Sequence, residues 1–191
     1  MRIISGSAAG FILKVPKGLG IRPTADLVRQ AIFNSLGTRV VGATVLELFG
    51  GTGALSLECL SRGATHSVCV ELSKKHARYI RENLTGTRLP NSSLEIRVQD
   101  ALTGIAQLAA AKRQFDLILA DPPYGEKNVN RRSTSFAQKM LDDANLPTLL
   151  APNGLFVLGH TKRDTLEFPE SWPETKMLKH GDTVMRFLKK A

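Results

Sequence analysis

Asp121-Pro122-Pro123-Tyr124 is the stretch of this chain whose residue types and spacing are best suited to chemistry. An amine carried on an aromatic base is a poor nucleophile, because its lone pair is delocalised into the ring. Asp121 can accept one N–H of such an amine and the backbone carbonyl of Pro122 the other, which localises the pair on nitrogen. The two prolines restrict the backbone so that this carbonyl stays aimed. Tyr124 can stack on the base. The arrangement opposes the positive charge that develops on nitrogen, the electrostatic inverse of an oxyanion hole. The expected catalytic residues are therefore Asp121, Pro122 and Tyr124. The plainer alternative is a strand-terminating turn with an incidental acid and aromatic.

A second constellation lies upstream, in Leu46-Glu47-Leu48-Phe49-Gly50-Gly51-Thr52-Gly53-Ala54. A glycine-rich turn between a strand and a helix is where open α/β sheets bind ligands, and glycine lets backbone approach a ligand that a Cβ would push away. The dinucleotide pattern Gly-x-Gly-x-x-Gly is not met, because Ser56 stands at its third glycine, and no Walker lysine follows. Glu71 ends the next expected strand, where a carboxylate can accept both hydroxyls of a ribose. Asp100-Ala101 ends the third in the same layer, and Asp100 can also cap the following helix. Nothing in this rim requires phosphate binding. A cofactor with ribose and adenine but no phosphate fits it.

The elements that must hold these residues read as alternating strands and helices. Thr44–Leu48, Ser67–Val70, Leu94–Val98, Phe115–Ala120 and Gly154–Gly159 read as strands. Ala54–Arg62, a helix capped by Ser73, and stretches around Ile105 and Phe136 read as helices. Lys176–Lys179 and Thr183–Leu188 flank Gly181-Asp182 and suggest a closing antiparallel hairpin. This alternation predicts a three-layer Rossmann-like α/β fold with a mostly parallel sheet. Residues 2–15 read as a small hairpin, and Thr24 can cap a helix with Val28, Ile32 and Leu36 on one face. The expected organisation is one domain over 1–191, with a basic extension at 1–43 and a catalytic core at 44–191.

Composition narrows the classes. The chain has 191 residues, 42% apolar and 23% charged, which suits a soluble globular protein. No apolar run is long enough to span a membrane, and the first residues lack a signal-peptide core, so the cytoplasm is the expected location. Cys59 and Cys69 sit among apolar neighbours and match no metal or redox spacing; the four histidines are scattered, so no metal is expected. The net charge is +9 and unevenly spread. Residues 1–43 carry six Lys or Arg against one acid, 126–134 three against one, and 176–191 five against one. A polyanionic partner is one reading of that asymmetry, a soluble basic surface the other. Residues 125–134 lack periodicity and read as a mobile loop able to order around a target.

With these residues in view, the chain resembles the class I, seven-stranded S-adenosylmethionine methyltransferases. Asp121-Pro122-Pro123-Tyr124 resembles their amino-methylating motif. Arg2-Ile3-Ile4-Ser5-Gly6, residues 16–24 and Val28-Arg29-Gln30-Ala31-Ile32-Phe33-Asn34 resemble the N-terminal signature of the bacterial small-subunit (16S) rRNA guanine-N2 methyltransferase D family. Leu60-Ser61-Arg62-Gly63-Ala64 and Gly181-Asp182-Thr183 also fit, so the likeness covers nearly the whole chain. It implies S-adenosylmethionine as cofactor, S-adenosylhomocysteine as product, and 16S rRNA in an assembling small subunit as partner, with a monomeric enzyme. Phe49, Gly50, Gly51 and Gly53 would line the methionine part of the cofactor and Glu47 its amine. Glu71 would hold the ribose, Leu72 pack on adenine, and Asp100 and Ala101 read its edge. Asp121 would border the cofactor as well as the guanine. Arg22 and Thr24 would close the cofactor and RNA side, and Arg2, Lys14, Lys17, Arg22, Lys127, Arg131 and Arg132 would meet RNA. The sequence departs from the family pattern at Glu47, where Asp is common, and at Gly50, where Ala is common. A DNA adenine-N6 methyltransferase and a non-catalytic RNA-binding assembly factor are the competing readings.

Overall fold

The apolar run at residues 44–48 forms strand β1 (Thr44–Leu48), whose Val45, Leu46 and Leu48 are all buried, as a strand covered on both faces must be. The computed structural model describes residues 1–16, 25–124 and 131–191. It divides into two compact units, Met1–Ala101 and Leu102–Ala191. In the first, β1 and β3 (Leu94–Val98) flank β2 (His66–Glu71), all parallel. Helix α2 (Ala54–Ser61) is buried along its entire length, and its Ser56 Oγ accepts a 2.9 Å hydrogen bond from Ser67 of β2. Helix α3 (Lys74–Thr87) turns Ala77, Ile80 and Leu84 inward and is capped by Ser73, whose Oγ accepts from His76 N–H at 3.3 Å.

The N-terminal hairpin is shorter than expected. Arg2 and Ile12 form an isolated bridge, and Ile3 N–H donates to Phe11 O at 2.9 Å. Between them the backbone turns toward α2 instead of pairing across. The Glu58 carboxylate accepts from Ile4 N–H at 2.7 Å and Ser5 N–H at 3.0 Å, and Ser61 Oγ accepts from Ala8 N–H at 2.9 Å. At Gly6 (φ +85°) a Cβ would lie 1.8 Å from Ser61 O, so only glycine permits this approach. Helix α1 (Asp26–Leu36) follows with Val28, Ile32, Phe33 and Leu36 buried. Its cap position is Ala25, and the expected cap, Thr24, lies outside the described residues.

In the second unit, helix α4, which begins at Ala101 (Ala101–Ala110), buries Ile105 and Leu108. Strand β4 (Phe115–Ala120) pairs in parallel with β5 (Leu150–Thr161). Strands β6 (Glu174–His180) and β7 (Thr183–Leu188) form the expected antiparallel hairpin around Gly181 (φ +59°), with β7 antiparallel to β5. Helix α5 (Phe136–Asp142) is capped by Ser135, and Trp172 donates to Leu141 O at 3.2 Å while packing 5.1 Å from the Phe156 ring. Strand β5 starts four residues before the expected Gly154. Pro152-Asn153 reads as a breaker, yet Asn153 (φ +67°) sits inside the strand beside a register shift, so the irregularity is absorbed as a bulge. Among the described residues there are seven strands and five α-helices, in the α/β pattern expected.

Candidate active site

The turn from β1 into α2 is shaped by backbone. Phe49 (φ +62°), Gly51 (φ +56°) and Gly53 (φ +75°) all adopt left-handed conformations. For a residue as bulky as Phe49 this costs on the order of 1–3 kcal/mol and persists only where the surroundings enforce it, a state concentrated at functional sites. The enforcement is visible. Gly50 N–H donates to Val70 O at 3.0 Å, extending the β1–β2 ladder by one rung, and Gly53 N–H closes the turn onto Gly50 O at 2.7 Å. A Cβ on Gly50 would lie 2.3 Å from Cys69 Sγ and 3.2 Å from Ile80 Cδ1, and one on Gly53 2.8 Å from Ile80 Cγ2. The departure from Ala at position 50 thus has a packing cause, since Cys69 and Ile80 take the room. At Gly51 the nearest atom to a Cβ is Phe49 O at 3.9 Å. That side of the turn is open to a ligand.

Glu71 closes the other side. Its Oε2 accepts from Gly51 N–H at 2.7 Å, and its Oε1 accepts from Ser73 N–H at 2.7 Å and lies 3.3 Å from His76 Nδ1. A carboxylate has about four acceptor positions, so these contacts leave room for a hydroxyl while holding the group rigid. Leu72, next in sequence, is 70% exposed, an apolar side chain available to cover a flat ring beside Glu71. Gln99 N–H donates to Glu71 O at 3.1 Å and carries the ladder on to Asp100, half-buried, and Ala101, buried at the start of α4. An open face at Gly51, a rigid carboxylate and an exposed leucine fit a ribose and adenine.

Two findings lay beyond sequence reasoning. Glu47 is buried, and its oxygens accept from Leu55 N–H at 3.3 Å and Ser56 N–H at 3.0 Å, with Cys69 Sγ at 3.4 Å. The structure gives it the work of capping α2. Burial pushes its carboxyl pKa up, against the opposing pull of the Ser56 hydrogen bonds. Asn83 of α3, fully buried, donates from Nδ2 to Thr52 O at 3.0 Å and to Lys14 O at 3.1 Å, and its Oδ1 accepts from Lys14 N–H at 2.8 Å. One amide thereby joins the glycine turn to the N-terminal segment. A single asparagine in an amphipathic helix gives no sign of this in sequence.

In the second unit, Asp121 follows β4 directly, half-buried, with Pro122 buried and Tyr124 38% exposed. Gly159 of β5 makes the space for Asp121. A Cβ there would stand 2.5 Å from Asp121 Oδ1 and 3.2 Å from Met185 Sδ. The Tyr124 hydroxyl is 2.7 Å from Thr183 Oγ1, at the start of β7. Behind this face, His160 is buried, with Nδ1 2.9 Å from Thr161 O and Nε2 accepting from Arg186 Nε at 3.1 Å. Burial, then the Arg186 charge, lowers its pKa.

Arg2 and Arg131 are exposed. Lys14 pairs with Glu82 at 3.1 Å, and Arg132 with Asp142 at 2.7 Å and Glu167 at 3.1 Å, so both side chains already have acidic partners. Lys17, Arg22, Thr24 and Lys127 lie outside the described residues. Among the described residues no helix is long and apolar enough to cross a membrane.

Comparison with known proteins places this geometry. Residues 1–189 match the family described as Conserved hypothetical protein 95. Ribosomal RNA small subunit methyltransferase D of Haemophilus influenzae is 31% identical over 172 residues, covering 90% of this chain and 84% of the relative. A solved chain from Escherichia coli, yhhF, superposes with a TM-score of 0.79 at 26% identity, covering 100% of this chain and 97% of that one. SMU.776, solved in complex with SAH, shares the fold alone, at 19% identity and a TM-score of 0.68 over 91% of this chain and 51% of that one. The mostly parallel α/β fold is that of the class I methyltransferases. The chain belongs to the Conserved hypothetical protein 95 family and, within it, stands with the ribosomal RNA small subunit methyltransferase D proteins.

Proposed function

We propose that this chain transfers a methyl group from S-adenosylmethionine to the exocyclic N2 amine of a guanine in 16S rRNA. The reading that it is an S-adenosylmethionine-dependent rRNA methyltransferase is supported by its family and by the match of the β1–α2 turn, Glu71 and Leu72 to a nucleoside without phosphate. The observation that carries the amine chemistry is Asp121 at the end of β4, its carboxylate accommodated by Gly159 and followed by Tyr124.

The cofactor supplies an electrophilic methyl on a sulfonium. The chain's own residues make the amine ready for it. The Asp121 carboxylate accepts one N–H and the Pro122 carbonyl the other, which draws the lone pair out of the ring. S-adenosylmethionine, which Glu71 and the glycine turn would hold, would supply that methyl as a cationic leaving-group donor, so positive charge would develop on the amine nitrogen as it is methylated. Asp121 opposes that charge most strongly at the transition state. The nitrogen proton, now acidic, is lost toward the carboxylate or water. Tyr124 stacks on the extruded base, and Glu71 with the glycine turn orients the donor. The chain acts as a cytoplasmic monomer on an assembling small subunit, with Arg2 and Arg131 among the cations that meet phosphates.

Transfer of labelled methyl to 16S rRNA, followed by mass-spectrometric analysis of the nucleosides, tests the proposal. N2-methylguanosine is expected. N6-methyladenosine in DNA would favour the adenine reading, and no transfer to either nucleic acid would favour an assembly factor.

A further inference from the structure

We propose that Thr183 is a positioning residue of the amine half-site: it holds the phenol of Tyr124 so that the ring forms a fixed wall for a planar base. The inference rests on the reading above that Tyr124 stacks on the target guanine.

Tyr124 needs such an anchor. Two prolines stiffen the backbone before it but do not set its side-chain torsions, and 38% of the residue is exposed. A stacking platform that samples several orientations captures the base in only a fraction of encounters, which lowers turnover more than affinity for the rest of the RNA. Thr183 Oγ1, 2.7 Å from the phenol, is a fixed point. Its backbone pairs with Thr161 of β5 on one side and with His180 of β6 on the other, so two ladders hold it. Its β-branched side chain has few rotamers of its own. Either hydroxyl can donate to the other. The last hairpin of the chain thus reaches the motif at the end of β4. A hydroxyl pair at this exposure contributes little to folding, so its effect separates from stability.

The test compares Thr183→Val, Thr183→Ser, Tyr124→Phe, the double variant Thr183→Val/Tyr124→Phe, and Tyr124→Ala. Single-turnover methyl transfer to 16S rRNA is measured at saturating S-adenosylmethionine, with cofactor affinity and melting temperature alongside. Thr183→Val and Tyr124→Phe should each slow transfer about 3–10-fold, the rate equivalent of one hydrogen bond. Cofactor affinity should stay within about twofold and the melting temperature within about 2 °C. The double variant should be no slower than the slower single, because both remove the same contact. Thr183→Ser should recover most of the rate. A wild-type rate in Thr183→Val, additive losses in the double variant, or a rate that falls only in step with melting temperature would overturn the proposal. If Tyr124→Ala is slow while Thr183→Val is normal, the positioning role alone fails. If Tyr124→Ala transfers methyl at the wild-type rate, stacking fails and the positioning role falls with it.

Discussion

In the turn between β1 and α2, the groups proposed to face a ligand are backbone atoms and one carboxylate already engaged by two N–H groups; at the end of β4, they are side chains held from a distance. The first half-site is held chiefly by β2 and α3, which follow it closely in the chain. Phe49, Gly51 and Gly53 take left-handed conformations in a turn bonded to Val70 O and the Glu71 carboxylate and packed against Cys69 and Ile80. The second depends on neighbours far along the chain, Gly159 for the Asp121 carboxylate and Thr183 for the Tyr124 phenol. A donor that must be bound and oriented suits a preformed cradle. An amine that must be polarised only as it reacts suits side chains whose chemistry is expressed in the transition state. Damage to the first region should therefore appear as lost cofactor binding and stability, and damage to the second as lost turnover.

The strongest way to break this comparison is Asp121→Ala. Single-turnover transfer should fall roughly 10²–10³-fold, about 3–4 kcal/mol, by analogy with the loss of one oxyanion-hole donor. Cofactor and RNA affinities should hardly move. Asp121→Asn should fall between the two, because its amide oxygen still accepts one hydrogen bond but carries no charge. A wild-type rate in Asp121→Ala would make the motif structural.

Gly159→Ala sharpens the same point without touching the motif. The added Cβ meets Asp121 Oδ1 at 2.5 Å, so the carboxylate must move. Misplacement by about 1 Å costs up to about 10²-fold in rate, and a loss of about 10–100-fold is expected with cofactor affinity preserved. Unchanged kinetics would mean that Asp121 relaxes freely and that its position is not selective.

Glu71→Ala probes the cradle. Cofactor affinity, read by calorimetry, should weaken by about 1–3 kcal/mol, more than RNA affinity does. Because Gly51 N–H and Ser73 N–H lose their acceptor as well, the melting temperature should drop too. Retained cofactor affinity would remove Glu71 from the site.

The smallest effect concerns His160, behind the second half-site. Its folded pKa is lowered, first by burial and then by Arg186, so it stays neutral where the unfolded chain takes up a proton. The stability it contributes is intact above its unfolded pKa, near 6.5, and is lost as pH falls from there through the lowered folded value. His160→Gln should flatten the stability profile in that acid range and leave it unaltered above pH 7. An equally steep profile in the variant would assign the acid loss elsewhere.

The pattern of strands and helices was legible because it is local. Val45, Leu46 and Leu48 announce a covered strand, Ala77, Ile80 and Leu84 a helix face, and Ser73 a helix start, each within a few residues of its neighbours. The motif residues were legible because their chemistry is intrinsic to their type. Asp121 can accept from an amine and Glu71 can accept N–H and hydroxyl donors wherever the fold puts them. The irregular start of β5 and the short N-terminal hairpin were not legible, since the bulge at the start of β5 accompanies a register shift against β4 and Ser5 is held by Glu58, both outside any local window.

By itself, then, the sequence determined the α/β alternation, the glycine turn and the acid-proline-proline-tyrosine motif. Tertiary structure alone decided what the buried polar groups do. Glu47 becomes a helix cap, Glu58 and Ser61 hold a segment more than 50 residues away, and Asn83 joins Lys14 to Thr52. Gly159 and Thr183 acquire their roles only when β5 and β7 arrive beside the motif. The physical reason is that hydrophobic periodicity and backbone preference are short-range along the chain. The satisfaction of a buried donor or acceptor is set by whichever atom is brought within about 3 Å of it, and that atom can come from anywhere in the chain.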